Sequence, residues 1–538
     1  MAEKEFNLLH EPWILVMKHD GQTEEVSLLD VFRRAHLWRG LAGELRTQDV
    51  AILRLLLAVL HAVFARYDVS GDFKPVQSPR EALDRWQSLW HRGDFPVELV
   101  RKYLMVFLDR FWLFHPTQPF YQVATIKEAT EYTGAKLNGE LSESSNKLRL
   151  FPKRTGAAKS QLSYAEAARW LIYVNAYDDT SAKPRSKGLP SPGAGWLGKL
   201  GLITAVGDNL LQTLVLNLVL LRDGTDDLWG AEKPLWESDV RSQERVQIEM
   251  PDNLSELLTL QSRRLLLQRE GEKVIGFALL GGDFFEKTNA FSEQMTVWRA
   301  PRKGKDVSLG HTPRRHDVSR QLWRDFAVLI AQREGGRRPG VVNWLARLKR
   351  EELLAKKHTL FEVAAVNYGD KDFFVDDVFS DSLAINSELL SGLGSNWVER
   401  IADEIEVTER LVQQVGELAQ RLATASGDLN SAASRNEAKE QAYFRLDRPF
   451  RHWLEELNPS NDDIDQQCEK WWSNAQRIVR NLGRELTQKV GPQAFSGRMV
   501  KEGDSARQCT APEAFNRFLY AINSKEALKG GSRHDRKG

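Results

Sequence analysis

Cysteine is almost missing from this chain: Cys468 and Cys509 are the only two in 538 residues. Two cysteines cannot build a disulfide framework, and no C-x-x-C pair offers a zinc site. That usage fits a reducing cytosol, so a cytoplasmic protein is expected. Long apolar runs are missing too. The longest, "VAILRLLLAVLHAVF" from Val50 to Phe64, contains Arg54 and His61 and falls short of the ~20 residues a bilayer requires. It reads as a buried helix, and no membrane partner is expected. The opening "MAEKEFNLLHEPW" carries acids where a secretory signal would carry an apolar core.

Catalytic signatures are equally sparse. No G-x-S-x-G elbow and no H-E-x-x-H pair occurs. "SPGAGWLGKLG" has the glycine spacing of a phosphate loop from Gly193 to Lys199. Leu200, however, stands where the magnesium-binding hydroxyl belongs, and "KPRSK" upstream supplies no strand. "DDVFSDS" (Asp376 to Ser382) lacks the spacing and glycine of a calcium loop. His311 and His316 in "GHTPRRHDVSR" are flanked by arginines, which disfavour a cation. The chain therefore reads as a binding protein and not an enzyme, with no metal and no cofactor. A metal-dependent nuclease assembled in space is the alternative.

What the chain has is segregated charge. The formal net charge is +1, yet residues 145–205 carry ten Lys/Arg against three Asp/Glu, and residues 299–350 carry fourteen against four. Residues 351–410 reverse the sign, with five basic against fourteen acidic. Opposed blocks suit a protein that meets a polyanion on one face and protein partners on another, unless they cancel in the fold.

The pattern along the chain predicts an α+β, mostly helical fold. A large mixed domain with short strands spans 1–390, a four-helix bundle spans 395–525, and a basic tail over 526–538 is expected to be disordered. "PWILVM" and "TEEVSLL" flank an Asp20-Gly21 turn and read as a hairpin, with Ser27 capping a helix. Further helices are expected near 48–67, 80–92, 96–113, 163–178 and 207–224. Short strands follow between about 240 and 300. In the bundle, Val398, Ile401, Ile405, Thr408, Val412, Val415, Ala419 and Leu422 alternate at spacings of three and four, an apolar seam on one helix. A second helix bends at Pro449, a third carries Cys468, Trp471, Ala475 and Leu482, and a fourth starts at Thr510.

Three basic stretches have loop character. "SNKLRLFPKRTG" holds Lys147, Arg149, Lys153 and Arg154 around Phe151. "KPRSKGLPSPGAGWLGKLG" (Lys183 to Gly201) has five glycines and four basic residues without an acid. Phe285 to Lys305 holds Lys287, Arg299, Arg302, Lys303 and Lys305. Each alone could be a solvated loop. Together they favour nucleic acid: Lys and Arg bind phosphates, and glycine lets a backbone approach a groove.

"FNLLHEPWILV", "HPTQPF" after "FLDRFWLF", "NKLRLFP", the glycine loop leading to "GDNLLQTLVLNLVLL", "YGDKDFFVDDVFSDSL" and the helical C-terminus occur in one order. This series resembles the CasA family, the large subunits of type I-E CRISPR surveillance complexes called Cascade. The resemblance implies a non-enzymatic subunit that recognises the protospacer-adjacent motif of double-stranded DNA through the minor groove. It also implies strand separation, R-loop formation and recruitment of a helicase-nuclease. Implied partners are target DNA, the crRNA end, and the backbone and small subunits. A scaffold that binds only RNA and protein is the rival reading.

By position, the resemblance assigns Gly193, Ala194, Gly195 and Lys287 to the minor groove. Gly369, Asp370, Lys371 and Asp372 become the strand-separating wedge. Lys187 and Lys199, with Asn146, Lys147, Arg149, Phe151, Lys153 and Arg154, are assigned to DNA or RNA backbone. Three departures stand out. The glycine loop is longer and richer in proline and lysine than the family pattern. Some relatives place glutamine at the wedge tip, where this chain has Lys371-Asp372, and the four-cysteine zinc site of some relatives has no cysteines here.

Overall fold

The computed structural model describes residues 4–140, 154–180, 183, 188–249, 251–285, 292–300, 310–331, 336–428, 430–502, 505–525 and 528. The chain forms two compact units. The first comprises residues 1–319, 332–355 and 359–382; the second comprises 320–331, 356–358 and 383–538. The architecture is the expected mix of helices with scattered short strands.

The first unit is built on the helix Arg46–Phe64. Its residues from Thr47 onward are buried, so it is a core helix of this unit. It packs against the helices Tyr164–Tyr177 and Leu254–Leu258. Ser163 starts the former with a reciprocal cap: its hydroxyl accepts from the Glu166 amide, and the Glu166 carboxylate accepts from the Ser163 amide. At the N-terminus, Ile14–Lys18 and Thr23–Val26 form the expected hairpin around Gly21, whose φ of 87° suits glycine. Ser27 caps the helix Leu28–Arg34.

A three-stranded sheet positions the site. Leu202–Val206 pairs antiparallel with His358–Tyr368, which neighbours Val375–Asn386. The pairing puts Leu202 opposite Ala364. Four residues back from Leu202 lies Gly198, and four residues on from Ala364 lies Tyr368. The register thus brings the glycine loop to the tip of the hairpin.

Two helices are shorter than the sequence suggests. The one expected over 96–113 runs from Val97 to Val106, and Trp112–Phe114 forms a strand paired with Glu5–Asn7. The helix expected over 207–224 runs from Leu210 to Leu216. Asn217 ends it by bonding both backbone groups of Ala205, at 3.0 Å to the amide and 2.6 Å to the carbonyl. The strand Leu202–Val206, beside that bond, was not read from the sequence.

In the second unit the helices Ser395–Ser426, Ser431–Glu456, Ile464–Gln488 and Ala511–Ile522 make the C-terminal bundle, with Pro449 inside the second and Thr510 capping the last. All eight seam residues of the first helix are buried. Thr408, the polar member, accepts from the Trp471 indole at 2.9 Å. Residues 320–331 join this unit, although in sequence they precede the hairpin. Trp323 stacks on Phe450 with ring centres 4.4 Å apart, and the Arg324 guanidinium lies 3.8 Å from the centre of Tyr443. Arg320 and Arg324 both bond Glu409.

Candidate nucleic-acid interface

The glycine loop is anchored by an arginine from another strand. Arg263 is buried at the start of the strand Arg263–Glu270. Its guanidinium donates to the carbonyls of Gly193, Asp178 and Asp179 at 2.8, 3.0 and 2.9 Å, and pairs with the Asp178 carboxylate. Lys183 reaches the same carboxylate at 2.9 Å, and Lys136 reaches Asp179 at 2.6 Å. Burial pushes the Asp178 carboxyl up. Lys183, Arg263 and Lys136 outweigh that and hold it well below the usual carboxylate range.

Trp196 fixes the next turn. Its amide donates to the Ser262 hydroxyl at 3.0 Å and its indole to Glu293 at 3.1 Å. Its ring meets Phe285 edge-on, with centres 4.9 Å apart. Phe284 and Phe285 form a short parallel pairing with Gln247 and Ile248, and Arg245 lies 4.7 Å from the centre of the Phe284 ring. The Phe-rich strand leading toward Lys287 therefore packs on the glycine loop.

Lys199 lies among cations. Burial comes first and the charges of Arg263, Arg315 and Arg245 follow in lowering its ammonium to about 8; Asp372 opposes them. Among the described residues no carboxylate pairs with it. The carboxylates nearest this cluster are held by its arginines, Asp372 by Arg315 and Asp178 by Arg263.

The hairpin tip closes the site. Gly369–Asp372 sits between the two long strands, with Lys371 and Asp372 at positive φ. Asp370 and Lys371 are exposed. Asp372 forms a two-pronged ion pair with Arg315 at 2.7 and 2.8 Å.

The assigned residues fall into four groups. Gly193, Lys199 and Gly369 to Asp372 come together. Ala194 and Gly195 are buried. A Cβ at 195 would overlap the Ala176 carbonyl, so the close approach that glycine permits there is to the end of the helix Tyr164–Tyr177. Arg154 pairs with Glu166 at 2.7 Å and lines a neighbouring cavity with Lys136, Trp170 and Asp376. Lys287, Lys187, Asn146, Lys147, Arg149, Phe151 and Lys153 lie outside the described residues.

Sequence reading missed Arg245, Arg263 and Arg315. Arg315 was visible, as one of the fourteen basic residues of 299–350 and one of the arginines beside His316, but it was given no site role. His316 instead bonds the Leu202 carbonyl at 2.9 Å. Among the described residues no three His, Cys, Asp or Glu side chains converge as a metal set.

Comparison with known proteins adds the following. The family model of CRISPR-associated protein Cse1 matches residues 7–482. CRISPR-associated protein CasA/Cse1 of Thermus thermophilus is 31% identical over 431 residues, 78% of each chain. The crystal structure of Thermobifida fusca Cse1 has a TM-score of 0.82 at 30% identity, covering 97% of this chain and 98% of that one. A chain of a CRISPR RNA-guided surveillance complex shares the fold, with a TM-score of 0.71 at 16% identity over 97% of this chain and 100% of that chain.

Proposed function

The chain belongs to the CRISPR-associated CasA/Cse1 family, and on that footing we propose that it is the large, non-enzymatic subunit of a type I-E Cascade complex. In this reading it works in the cytoplasm beside crRNA and the backbone and small subunits. It recognises the protospacer-adjacent motif of duplex DNA through the minor groove and begins strand separation. It then supports the R-loop and offers a docking surface to the helicase-nuclease.

The observation that carries the reading is the shared position of the glycine loop, the cationic pocket at Lys199 and the hairpin tip. A duplex bound over the loop would place a phosphate near Lys199 and would meet the tip within the same footprint. The phosphate would supply a counter-charge to a lysine that no carboxylate pairs with among the described residues. Lys287, which follows the Phe284–Phe285 strand in sequence, is the residue for acceptors on the groove floor. The guide reads the target by pairing, while this subunit reads a short flanking motif.

The test is duplex binding by the guide-loaded complex assembled with and without this chain, against a library of flanking motifs beside one matched target. Motif preference that appears only with the chain supports the reading. Equal affinity and equal preference without it leave the scaffold reading, in which the basic loops serve RNA or assembly.

A further inference from the structure

A carboxylate at a wedge tip is out of place beside phosphates, because a free charge there would repel them. The structure gives Asp372 a partner. Arg315 bonds both of its oxygens, and the Arg315 Nε donates to the Gly198 carbonyl at 2.6 Å. The guanidinium lies 4.9 Å from the centre of the Tyr368 ring. One side chain thus holds the glycine loop and the hairpin tip together. Other bonds pin the same junction. Thr180 donates from its amide to the Asp372 carbonyl at 2.9 Å and from its hydroxyl to the Lys371 carbonyl at 3.0 Å. The Tyr368 hydroxyl donates to the Tyr177 carbonyl at 2.6 Å. A Cβ at Gly198 would overlap that hydroxyl, so loop and tip sit at van der Waals distance.

We propose that Arg315 is a positioning residue that clasps the tip Gly369–Asp372 to the glycine loop at Gly198, setting the spacing between motif recognition and the first base pair opened. The proposal rests on the recognition reading above. Arginine suits the task because its planar fork can bond a carboxylate with two nitrogens and a carbonyl with a third. Lysine keeps the charge but lacks the fork. The pair is 34% and 31% exposed, so water screens it and its value lies in placement more than in fold stability.

The experiment uses the guide-loaded complex carrying Arg315→Lys or Asp372→Asn. Two targets are compared: a closed duplex, and one with a mismatched bubble over the base pairs next to the motif. A fluorescent purine analogue at the first base pair reports opening, and competition among motifs on the bubble target reports recognition. Both variants are expected to slow opening of the closed duplex about tenfold. Both should leave motif ranking and affinity on the bubble target within about twofold. Thermal melting of each variant chain checks the fold. Unchanged opening in both variants overturns the clasp. So does an equal loss on both targets, which would make Arg315 a phosphate contact. If the unaltered complex shows no motif preference on either target, the recognition reading itself fails, a result distinct from failure of the clasp.

Discussion

Arg54 and Glu293, 239 positions apart, meet in the core of the first unit as a two-pronged ion pair at 2.8 and 3.0 Å, with both side chains at 1% exposure or less. The same carboxylate accepts from the Trp196 indole. A buried helix and the glycine loop are therefore joined through one charge. Burial pushes the Glu293 carboxyl up, and Arg54 outweighs it to hold the group below its ordinary value.

Removing the arginine strands the carboxylate. Arg54→Met is expected to cost about 3–5 kcal/mol, because an unpaired buried charge remains. Arg54→Met combined with Glu293→Leu should recover much of that loss. Urea unfolding of the isolated chain measures both. A double variant no more stable than Arg54→Met would contradict the pairing.

The glycine loop yields a contrast between neighbours. Gly195→Ala drives a methyl into the Ala176 carbonyl and should cost about 1–3 kcal/mol. Gly193→Ala meets, among the described residues, only the end of the Lys199 side chain, at 3.5 Å, and should stay within about 0.5 kcal/mol. Thermal melting of the two variants side by side checks the difference. Equal costs would show that the loop packs otherwise.

In the proposed role, Lys199 makes duplex binding depend on pH. Its ammonium, lowered to about 8, loses its proton as pH rises from 7 to 9. The proposed phosphate contact is expected to be lost with it. The salt dependence of duplex binding by the assembled complex should shrink by about one unit of slope at pH 9. Lys199→Arg stays charged and should keep the slope constant. A slope that does not change with pH in the unaltered complex contradicts the contact.

His61 and Glu232 give opposite pH dependences of stability. They are buried 3.8 Å apart, and both His61 ring nitrogens and one Glu232 oxygen lack a hydrogen-bond partner among the described residues. Burial lowers His61 to about 3 and raises Glu232 to about 7. Between pH 4.5 and 6.5 the unfolded chain binds the extra proton at His61, so that term strengthens the fold as pH rises. At Glu232 the folded chain binds it, so that term weakens the fold over the same range. Each slope is at most about 1.4 kcal/mol per pH unit. Relative to the unaltered chain, Glu232→Gln should therefore gain stability with rising pH in this window, and His61→Gln should lose it. Urea midpoints at pH 4.5 and 6.5 decide, and parallel behaviour of the two variants would refute the assignment.

Local patterns were legible in the sequence, and distant ones were not. The seam from Val398 to Leu422 showed because helical periodicity is a property of neighbours, and every member is buried. Thr510 and Ser27 showed as caps for the same reason. Asn217 ends its helix by bonding Ala205, a bond that periodicity does not encode, and so the helix read too long. The cationic pocket was hidden likewise. Arg315 finds its partners 57 and 117 positions away, and Arg263 finds Gly193 at a separation of 70. A basic loop can be read from composition. Which loop carbonyl an arginine holds depends on strand register.

The most direct measurement of the central claim is duplex binding by the guide-loaded complex across a motif library at two salt concentrations, with Lys287→Ala and Lys199→Ala compared. Loss of a groove-floor contact should flatten motif ranking by about 1–3 kcal/mol in Lys287→Ala. Loss of a phosphate contact should weaken every motif alike in Lys199→Ala and reduce the salt slope by about one unit. Motif ranking that survives Lys287→Ala intact, with a salt slope untouched by Lys199→Ala, would contradict the account.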